Sequence, residues 1–336
     1  MSNAHSATDR SEDGVAENVD ALVGSMAKVR DHIETLIFGQ RNVIDQVLIT
    51  LLSGGHVLLV GVPGLAKTRL TEMLGTVLGL TERRVQFTPD LMPADILGSE
   101  VLEESEAGRR SFRFIEGPVF CQLLMADEIN RASPRTQSAL LQAMQEHEVS
   151  VAGRPHSLPD PFHVIATQNP IEQEGIYPLP EAQLDRFLMQ IDINYPGFDD
   201  EWKMLIETTG AVEKPAEQIL TGEELRAAQR LVRTIPVGET VVEAILELIR
   251  SGRPETTTIS LVSENVSWGP GPRAGQALML ATRARALIDG RVSPSIDDVI
   301  ALAPSVLRHR MSVSFAARAE GLTLDQVIEQ MCAPFA

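Results

Sequence analysis

The sequence predicts a parallel α/β fold followed by a smaller all-α domain, and two observations carry this prediction. Several continuous apolar runs end in polar residues, which is typical of parallel strands covered on both faces. From Pro196 onward, helical periodicity dominates instead. The 336 residues are enough for two ordinary domains. We therefore expect an α/β domain over 19–195 and a helical lid over 196–336.

The first domain is expected to alternate between strands and helices. Apolar residues at helical spacing predict helices over 23–36 and up to Leu52. Hairpins are expected over 98–114 and 149–162, where alternating residues flank a glycine. Residues 251–267 carry no clear signal. The predicted core strands are Val57 to Val60, Val85 to Phe87, Cys121 to Ala126, His163 to Thr167 and Phe187 to Ile193.

Composition limits the class of protein. The net charge of -17 and pI near 4.9 count against a nucleic-acid partner, because phosphate contacts need clustered Lys and Arg. No apolar run approaches the roughly 20 residues of a membrane span. Residues 1–18 are polar and acidic, as in disordered tails. The two cysteines, Cys121 and Cys332, suggest neither a disulfide framework nor a metal site, which fits a reducing, cytoplasmic setting. Because no membrane span is predicted, we also expect the protein to be soluble.

The stretch Gly61 to Thr68 reads Gly-Val-Pro-Gly-Leu-Ala-Lys-Thr and directly follows the first predicted strand. A phosphate-binding loop has Gly, four free positions, Gly, Lys and then Ser or Thr, between a strand and a helix. Gly61, Lys67 and Thr68 fit this pattern, whereas Ala66 stands at the second Gly. A left-handed backbone at Ala66 would cost roughly 1–2 kcal/mol. The alternative is a Gly/Pro turn that joins a core strand to a surface helix.

The loop residues have distinct physical roles in such a site. Gly61 and Gly64 leave room for phosphates to approach the backbone N–H groups. Lys67 would bring a positive charge to the phosphates. Thr68 would bind Mg²⁺ at the start of a helix whose dipole also favours an anion. The sequence thus predicts a nucleotide site after the first strand.

Two further predicted strands end in polar residues. Asp127 and Glu128 follow the third strand, where Asp127 would hold Mg²⁺ and Glu128 would deprotonate an attacking water. Both are also ordinary residues of a first helical turn. Asn169 follows the fourth strand and could hold the γ-phosphate or the water. Alternatively, Asn169 and Pro170 simply start a turn.

The order of these motifs resembles that of AAA+ ATPases, and more closely that of the MoxR family within the helix-2-insert clade. The resemblance runs from about residue 22 to Phe315. It rests on Ile37-Phe38-Gly39-Gln40, Gly61 to Thr68, Asp127-Glu128-Ile129-Asn130-Arg131-Ala132, Ala166-Thr167-Gln168-Asn169-Pro170, Leu179 to Phe187 and Ala303 to Arg310.

The resemblance implies a role for each matching residue. Asn169 would sense the γ-phosphate, Arg186 would be an arginine finger for a neighbouring subunit, and Arg273 would reach the nucleotide from the lid as a second sensor. The alternatives are a surface ion pair between Arg186 and Asp185, and an ordinary cation at a helix start for Arg273. Pro270 departs from the family's usual Gly-Ala-Ser-Pro-Arg and stiffens the approach of Arg273. The nucleotide would contact Ile37, Phe38 and Gly39 at its adenine, and Gly61, Val62, Pro63, Gly64, Leu65, Ala66, Lys67, Thr68 and Arg69 at its phosphates.

The resemblance also implies an activity, which is ATP hydrolysis with Mg²⁺ by a hexameric ring that remodels or matures protein complexes. Its partners would be further copies of itself, a protein client and a protein with a von Willebrand factor A domain. The two hairpins would face the central channel or a partner, or else merely decorate an edge. The competing functions are a nucleic-acid motor, a magnesium-chelatase-type subunit and a nucleotide-dependent scaffold. Glu128 counts against the scaffold, and 4% aromatic residues supply little base stacking.

Overall fold

The computed structural model describes residues 22–104, 110–171, 175–209 and 215–335, so the tail expected at 1–18 lies outside the described residues. The strands are β1 Val57–Val60, β2 Glu82–Gln86, β3 Gly98–Glu104, β4 Arg110–Glu116, β5 Leu123–Asp127, β6 Glu148–Val151, β7 Arg154–Ser157, β8 His163–Gln168, β9 Met189–Asp192, β10 Val266–Trp268 and β11 Ser312–Val313. Five of them form one parallel sheet in the order β2-β5-β8-β1-β9.

Helices surround this sheet and continue beyond it. Residues 22–34 are helical and are called α1. Short 3-10 turns cover Ile129–Arg131, Arg308–Arg310 and Ala333–Phe335. The other helices are α2 Arg41–Leu52, α3 Lys67–Val77, α4 Pro93–Leu97, α5 Pro134–Glu146, α6 Glu181–Leu184, α7 Phe198–Thr208, α8 Gly222–Thr234, α9 Glu239–Ser251, α10 Ser260–Asn265, α11 Pro272–Ile288, α12 Ile296–Leu307, α13 Phe315–Ala319 and α14 Leu324–Cys332.

Both faces of the sheet are covered. Successive side chains of a strand point to opposite faces, and in β1 Leu58 packs with Phe87 and Phe187 on one side of the sheet. Val57 and Leu59 pack on the other side, in the core that also contains α2, α3 and the helices of the lid. The predicted parallel α/β class is therefore confirmed, and the apolar runs are apolar because neither face meets water.

The second strand differs from its prediction at 85–87. β2 begins at Glu82 and contains the exposed Arg83 and Arg84. It is an edge strand, and charged residues are common on edges because they discourage pairing with another chain. A search for apolar runs misses such a strand. Phe87 is buried but follows the strand, and its N–H donates to the carbonyl of Asp127 at 2.8 Å.

Both predicted hairpins are present as antiparallel pairs, with β3 paired to β4 and β6 to β7. From α7 onward the chain is helical, as predicted, except that β10 and β11 form a small antiparallel ribbon. β10 begins near the end of the stretch 251–267, which carried no clear sequence signal. None of the helices in the described ranges is long and apolar enough to cross a membrane.

A half-buried glutamine links the lid to the sheet. Gln229 on α8 donates one hydrogen bond to the carbonyl of Leu51 at 2.8 Å and another to Nε2 of His163 at 2.9 Å. His163 in turn donates from Nδ1 to the carbonyl of Gly55 at 2.8 Å. Since one ring nitrogen accepts and the other donates, His163 is held in its neutral form.

The buried histidines are expected to make stability depend on pH. Burial lowers the pKa of His56 to about 3 and that of His163 to about 4, from the usual 6.5. Below pH 6.5 the unfolded chain therefore binds protons that the folded chain does not. The free energy of unfolding should fall as the pH drops from about 6.5 to 4, by roughly 3 kcal/mol per histidine at pH 4. Urea unfolding across this range measures the fall.

The variant His163→Asn tests how much His163 contributes to this pH dependence of stability. His163→Asn keeps an amide N–H that can donate to the carbonyl of Gly55 but has no group that titrates in this range. The fall in unfolding free energy should be smaller in this variant than in the parent. An equal fall in both proteins would show that His163 does not contribute.

Candidate functional site

The loop from Gly61 to Ala66 lies at the carboxyl edge of the sheet, where its two glycines serve different needs. The N–H of Gly61 donates to the carbonyl of Gln168 at 3.2 Å and ties the loop to β8. A Cβ atom at Gly61 would lie 2.9 Å from the carbonyl oxygen of Ile193, so a side chain does not fit there. Gly64 has φ +86°, in the left-handed region that glycine enters without strain.

Ala66 is also left-handed, with φ 56° and ψ 20°, and α3 begins directly after it. The structure therefore has the strained arrangement that the sequence left open. A non-glycine residue there costs roughly 1–2 kcal/mol. This strained conformation of Ala66 persists because the loop on one side and α3 on the other fix the backbone.

Ala66→Gly is accordingly expected to raise the free energy of unfolding by about 0.5–1 kcal/mol, the strain relieved less the added entropy of the unfolded chain. Urea unfolding of parent and variant measures this change. Ala227→Gly is the matched control, because Ala227 is exposed inside α8. It should lower stability by about 1 kcal/mol. If Ala66→Gly also lowers stability, the left-handed backbone is not present in solution.

Lys67 is the first residue of α3, and its side chain folds back over the loop. Its Nζ donates to the carbonyl of Gly61 and, at 3.0 Å, to that of Val62. Burial lowers the pKa of Lys67, and the negative charges of Asp127 and Glu128 oppose this effect. The ammonium group thus lies against the loop, within the electrostatic influence of both carboxylates, and it supplies a positive charge for an anion.

A cleft of about 390 Å³, called the loop cleft, brings together most of the residues predicted to bind phosphate and metal, although Gly61 and Val62 do not line it. The loop cleft lies at the carboxyl ends of β1, β5 and β8, which is where parallel sheets place their sites. Its lining residues are Pro63, Gly64, Leu65, Ala66, Lys67, Thr68, Arg69, Asp127, Glu128, Thr167 and Asn169.

Asp127 is fixed on both carboxylate oxygens. Its Oδ1 accepts a hydrogen bond from Thr167 Oγ1 at 2.5 Å, and its Oδ2 pairs with Arg84 at 2.6 Å. Its side chain is only 13% exposed, whereas that of Arg84 is 51% exposed. Arg84 can therefore leave for water more easily than Asp127 can move, and its departure would free one carboxylate oxygen for a metal ion.

Glu128 has a left-handed backbone, with φ 55° and ψ 51°, which turns its side chain out of the strand direction. Its N–H donates to Thr167 Oγ1 at 2.8 Å. Its Oε2 accepts from Gln86 at 2.7 Å and from Arg131 at 2.9 Å. In the described part of the chain Oε1 makes no hydrogen bond, so one oxygen is available to take a proton.

Four residues around these carboxylates were missed by the sequence reasoning: Arg84, Gln86, Arg131 and Thr167. Gln86 lies opposite Asp127 in the parallel pairing of β2 with β5. The sequence does not show which strands are neighbours, so this contact had no signal. Arg131, three residues after Glu128, was the one detectable partner, because residues at this spacing adjoin in a helical turn.

Asn169 forms a turn, which was one of the two interpretations of the sequence, and it also lines the loop cleft. Its Oδ1 accepts from the N–H of Ile171 at 3.1 Å, which is the bond of a turn-forming Asn. It is also buried and lines the loop cleft. The turn therefore holds the amide where it faces the cleft.

A second cleft of about 460 Å³ adjoins the loop cleft and shares five lining residues with it, from Pro63 to Ala66 and Arg69. Ile37 and Phe38, which the resemblance assigns to the adenine, line this cleft. Gly39 does not line it, because it packs against α7, where a Cβ would lie 2.7 Å from Asp200 Cβ. Further lining residues that the sequence did not indicate are Tyr195, Pro196, Glu201, Met204 and Thr208.

Arg186 lies at the opposite edge of the sheet from the loop. β9 pairs in parallel with β1, and Met189 is opposite Val57, so the residues before β9 are at the amino edge. The carboxylate of Asp185 binds Arg310 at 2.7 Å instead of its neighbour Arg186. In the described ranges Arg186 makes no side-chain hydrogen bond or ion pair, so the surface pair with Asp185 is absent.

Arg273 lies beside the same residue, with its NH1 3.6 Å from Asp185 Oδ2. It lines neither cleft. Arg273 therefore lies away from both clefts of its own chain, and its role as a second sensor stays a prediction. The physical reason is that the lid packs on the edge strand β9 through α12, which places the start of α11 at the amino edge.

The oxygen ligands present in the loop cleft suit Mg²⁺. Among the described residues, no group of three or more His, Cys, Asp and Glu could hold a metal ion by itself. The hydroxyl of Thr68 and one carboxylate oxygen of Asp127 would instead share the ion with phosphate oxygens and water. Mg²⁺ is commonly held in this way, with few protein ligands.

Comparisons with known proteins agree with this geometry. Residues 56–189 match the family described as ATPases associated with various cellular activities (AAA), and residues 259–331 match the AAA lid domain. Chaperone MoxR1 of Mycobacterium tuberculosis is 41% identical over 319 residues, which cover 95% of this chain and 84% of the relative. Protein MoxR of Paracoccus denitrificans is 31% identical over 85% of this chain and 89% of its own.

A solved structure is similar over nearly the whole length. The crystal structure of a presumptive ATPase from Cytophaga hutchinsonii has a TM-score of 0.88 and 33% identity, and the match covers 96% of this chain and 97% of the other. Identities above 30% over most of both chains, together with the matching core and lid, show that this chain belongs to the MoxR family of AAA+ ATPases.

Proposed function

We propose that this protein hydrolyses ATP with Mg²⁺ and uses the reaction in a chaperone-like role, as a ring whose sites are shared between subunits. The observation that supports it most is the convergence of Lys67, Asp127, Glu128 and Asn169 on one cleft. Phosphoryl transfer needs positioned charge for the phosphates, a metal ion and a group that orients water. These four residues, with Thr68, offer each of them.

The phosphates would lie on the loop Gly61 to Thr68, with the adenine in the second cleft near Ile37 and Phe38. Bound Mg²⁺ would neutralise developing charge on the phosphates, held by Thr68 and Asp127. Lys67 would exchange its loop carbonyls for phosphate oxygens. Glu128 would accept the proton of the attacking water on Oε1, while Gln86 and Arg131 hold Oε2.

The placement of Arg186 supports a shared site. It has no partner among the described side chains and lies at the edge opposite its own loop cleft. In a ring, the amino edge of one subunit would meet the carboxyl edge of the next. Arg273, beside Asp185, would enter the same interface. Six subunits are proposed from the resemblance alone.

The β3–β4 hairpin favours a protein client over nucleic acid. Its described residues carry four glutamates and two arginines, and both arginines are already paired, Arg110 with Glu104 and Arg113 with Glu103. With two arginines against four glutamates the described hairpin residues have a net charge of -2, which disfavours contact with phosphates. Three exposed apolar side chains suit contact with a protein, namely Leu102, Phe112 and Ile115.

A protein with a von Willebrand factor A domain is proposed from the resemblance as a partner. MoxR1 of Mycobacterium tuberculosis is named a chaperone, which supports a client of protein nature here. A cytoplasmic setting suits the two cysteines, which are buried and unpaired.

The ATPase rate as a function of protein concentration tests the proposal. The rate per subunit should rise steeply where light scattering shows rings to form, because each site needs two subunits. Mixing Glu128→Gln with Arg186→Ala should restore part of the activity, since one interface type then has both intact groups. No hydrolysis at ring-forming concentrations would refute the activity, and no recovery in the mixture would refute the shared site.

A further inference from the structure

Arg310 is a buried arginine that stands outside both clefts. It is 3% exposed and follows α12. Its Nε donates to Asp185 Oδ1 at 2.7 Å. NH1 donates to the carbonyls of Leu188 at 3.0 Å and Val306 at 2.7 Å, and NH2 to those of Phe187 at 2.6 Å and Asp185 at 3.3 Å. All of its donor nitrogens are thus used.

Four of these five bonds end on residues 185–188, which we call the finger segment because it contains Arg186. His309 adds a fifth contact from the lid, from Nε2 to the carbonyl of Phe187 at 3.0 Å. A buried guanidinium is costly unless its donors are satisfied. The finger segment must therefore keep the backbone shape that satisfies Arg310.

Arg310 also affects the charge next to Arg186. The carboxylate of Asp185 has Arg310 on Oδ1 and Arg273 on Oδ2, both from the lid. An unoccupied Asp185 would be the acid best placed to pair with its neighbour. Because the two lid arginines occupy Asp185, this carboxylate does not pair with Arg186.

We propose that Arg310 is a positioning residue for Arg186, which shapes the finger segment and occupies Asp185 so that Arg186 can act on the neighbouring subunit. This rests on the proposed function, since it requires a shared site. Because Arg310 belongs to the lid, the lid of one subunit sets the rate in the cleft of the next. Regulation of the ring would pass through this contact.

Two variants test the role, Arg310→Lys and Arg310→Gln, because each loses contacts to the finger segment and leaves Asp185 able to bind Arg186. Arg310→Lys is the safer for folding, since it keeps a charged donor. Each should lower the ATPase rate by about tenfold or more, while affinity for a fluorescent ATP analogue stays within about twofold, because the variant's own cleft is intact. Arg308→Lys is the matched control. It lies in the same turn but binds Asp192 and Asp325, so its rate should match the parent's.

Mixed rings separate positioning from damage to the fold. A mixture with Glu128→Gln, whose finger is intact, should restore activity to either variant, whereas a mixture with Arg186→Ala should not. Weakened nucleotide binding, or no recovery with Glu128→Gln, would overturn the role. The mixture of Glu128→Gln with Arg186→Ala serves as reference. If this reference shows no recovery, the shared site is refuted, and the role of Arg310 with it.

Discussion

Replacing Arg186 with alanine is expected to lower kcat for ATP hydrolysis by about 10³-fold or more. The guanidinium would act on the charge that spreads over the phosphoryl oxygens in the transition state, so affinity for ATP should change little. The cleft of the altered chain keeps every contact, because Arg186 lies at the opposite edge of the sheet. Steady-state ATPase assays and binding of a fluorescent ATP analogue measure the two quantities.

Two further variants sharpen this expectation. Arg186→Lys keeps the positive charge but loses the planar fork, so its rate should fall between those of the parent and the alanine variant. Arg233→Ala removes an exposed arginine that likewise makes no ion pair in the described residues, and it should leave the rate unchanged. If Arg186→Ala hydrolyses ATP at the parent's rate at concentrations where rings form, Arg186 is not an arginine finger.

The sequence predicted the sheet and the loop cleft because both depend on local patterns. Apolar runs followed by polar residues placed Asp127 and Asn169 at strand ends, and parallel strands bring their carboxyl ends to one edge. The loop motif located Lys67 and Thr68 at the same edge. The cleft that these residues line needed no knowledge of the order of the strands.

Contacts between distant segments could not be predicted in this way. Gln86 reaches Glu128 because β2 pairs with β5 in one particular register. Arg273 lies beside Asp185 because α12 packs on β9. The position of Arg273 therefore depends on lid packing, which motif order does not encode.

Even within the loop motif, the backbone conformation of Ala66 could not be predicted from the sequence. The cost of a left-handed alanine could be stated from the sequence, but its φ of 56° depends on how the loop joins α3. Residues whose type and spacing follow a known motif could thus be predicted from the sequence. Backbone angles and partners across the sheet were not, because tertiary packing decides them.

Glu128→Gln is expected to lower kcat by about 10²- to 10⁴-fold, the usual contribution of a positioned general base. The amide has nearly the shape of the carboxylate, so the neighbours Gln86 and Arg131 stay close to it, but it cannot accept the proton of water. ATP should bind at least as tightly as in the parent, because a half-buried negative charge near the phosphates is removed. Single-turnover hydrolysis and binding of a fluorescent ATP analogue measure both effects.

A matched control decides whether the loss is chemical. Glu247→Gln removes the same charge from an exposed position on α9 and should leave both quantities unchanged. If Glu128→Gln hydrolyses ATP within about tenfold of the parent, Glu128 is not the base. In that case the proton must leave by another route, and Glu128 would serve mainly to hold Arg131 and Gln86 at the end of the sheet.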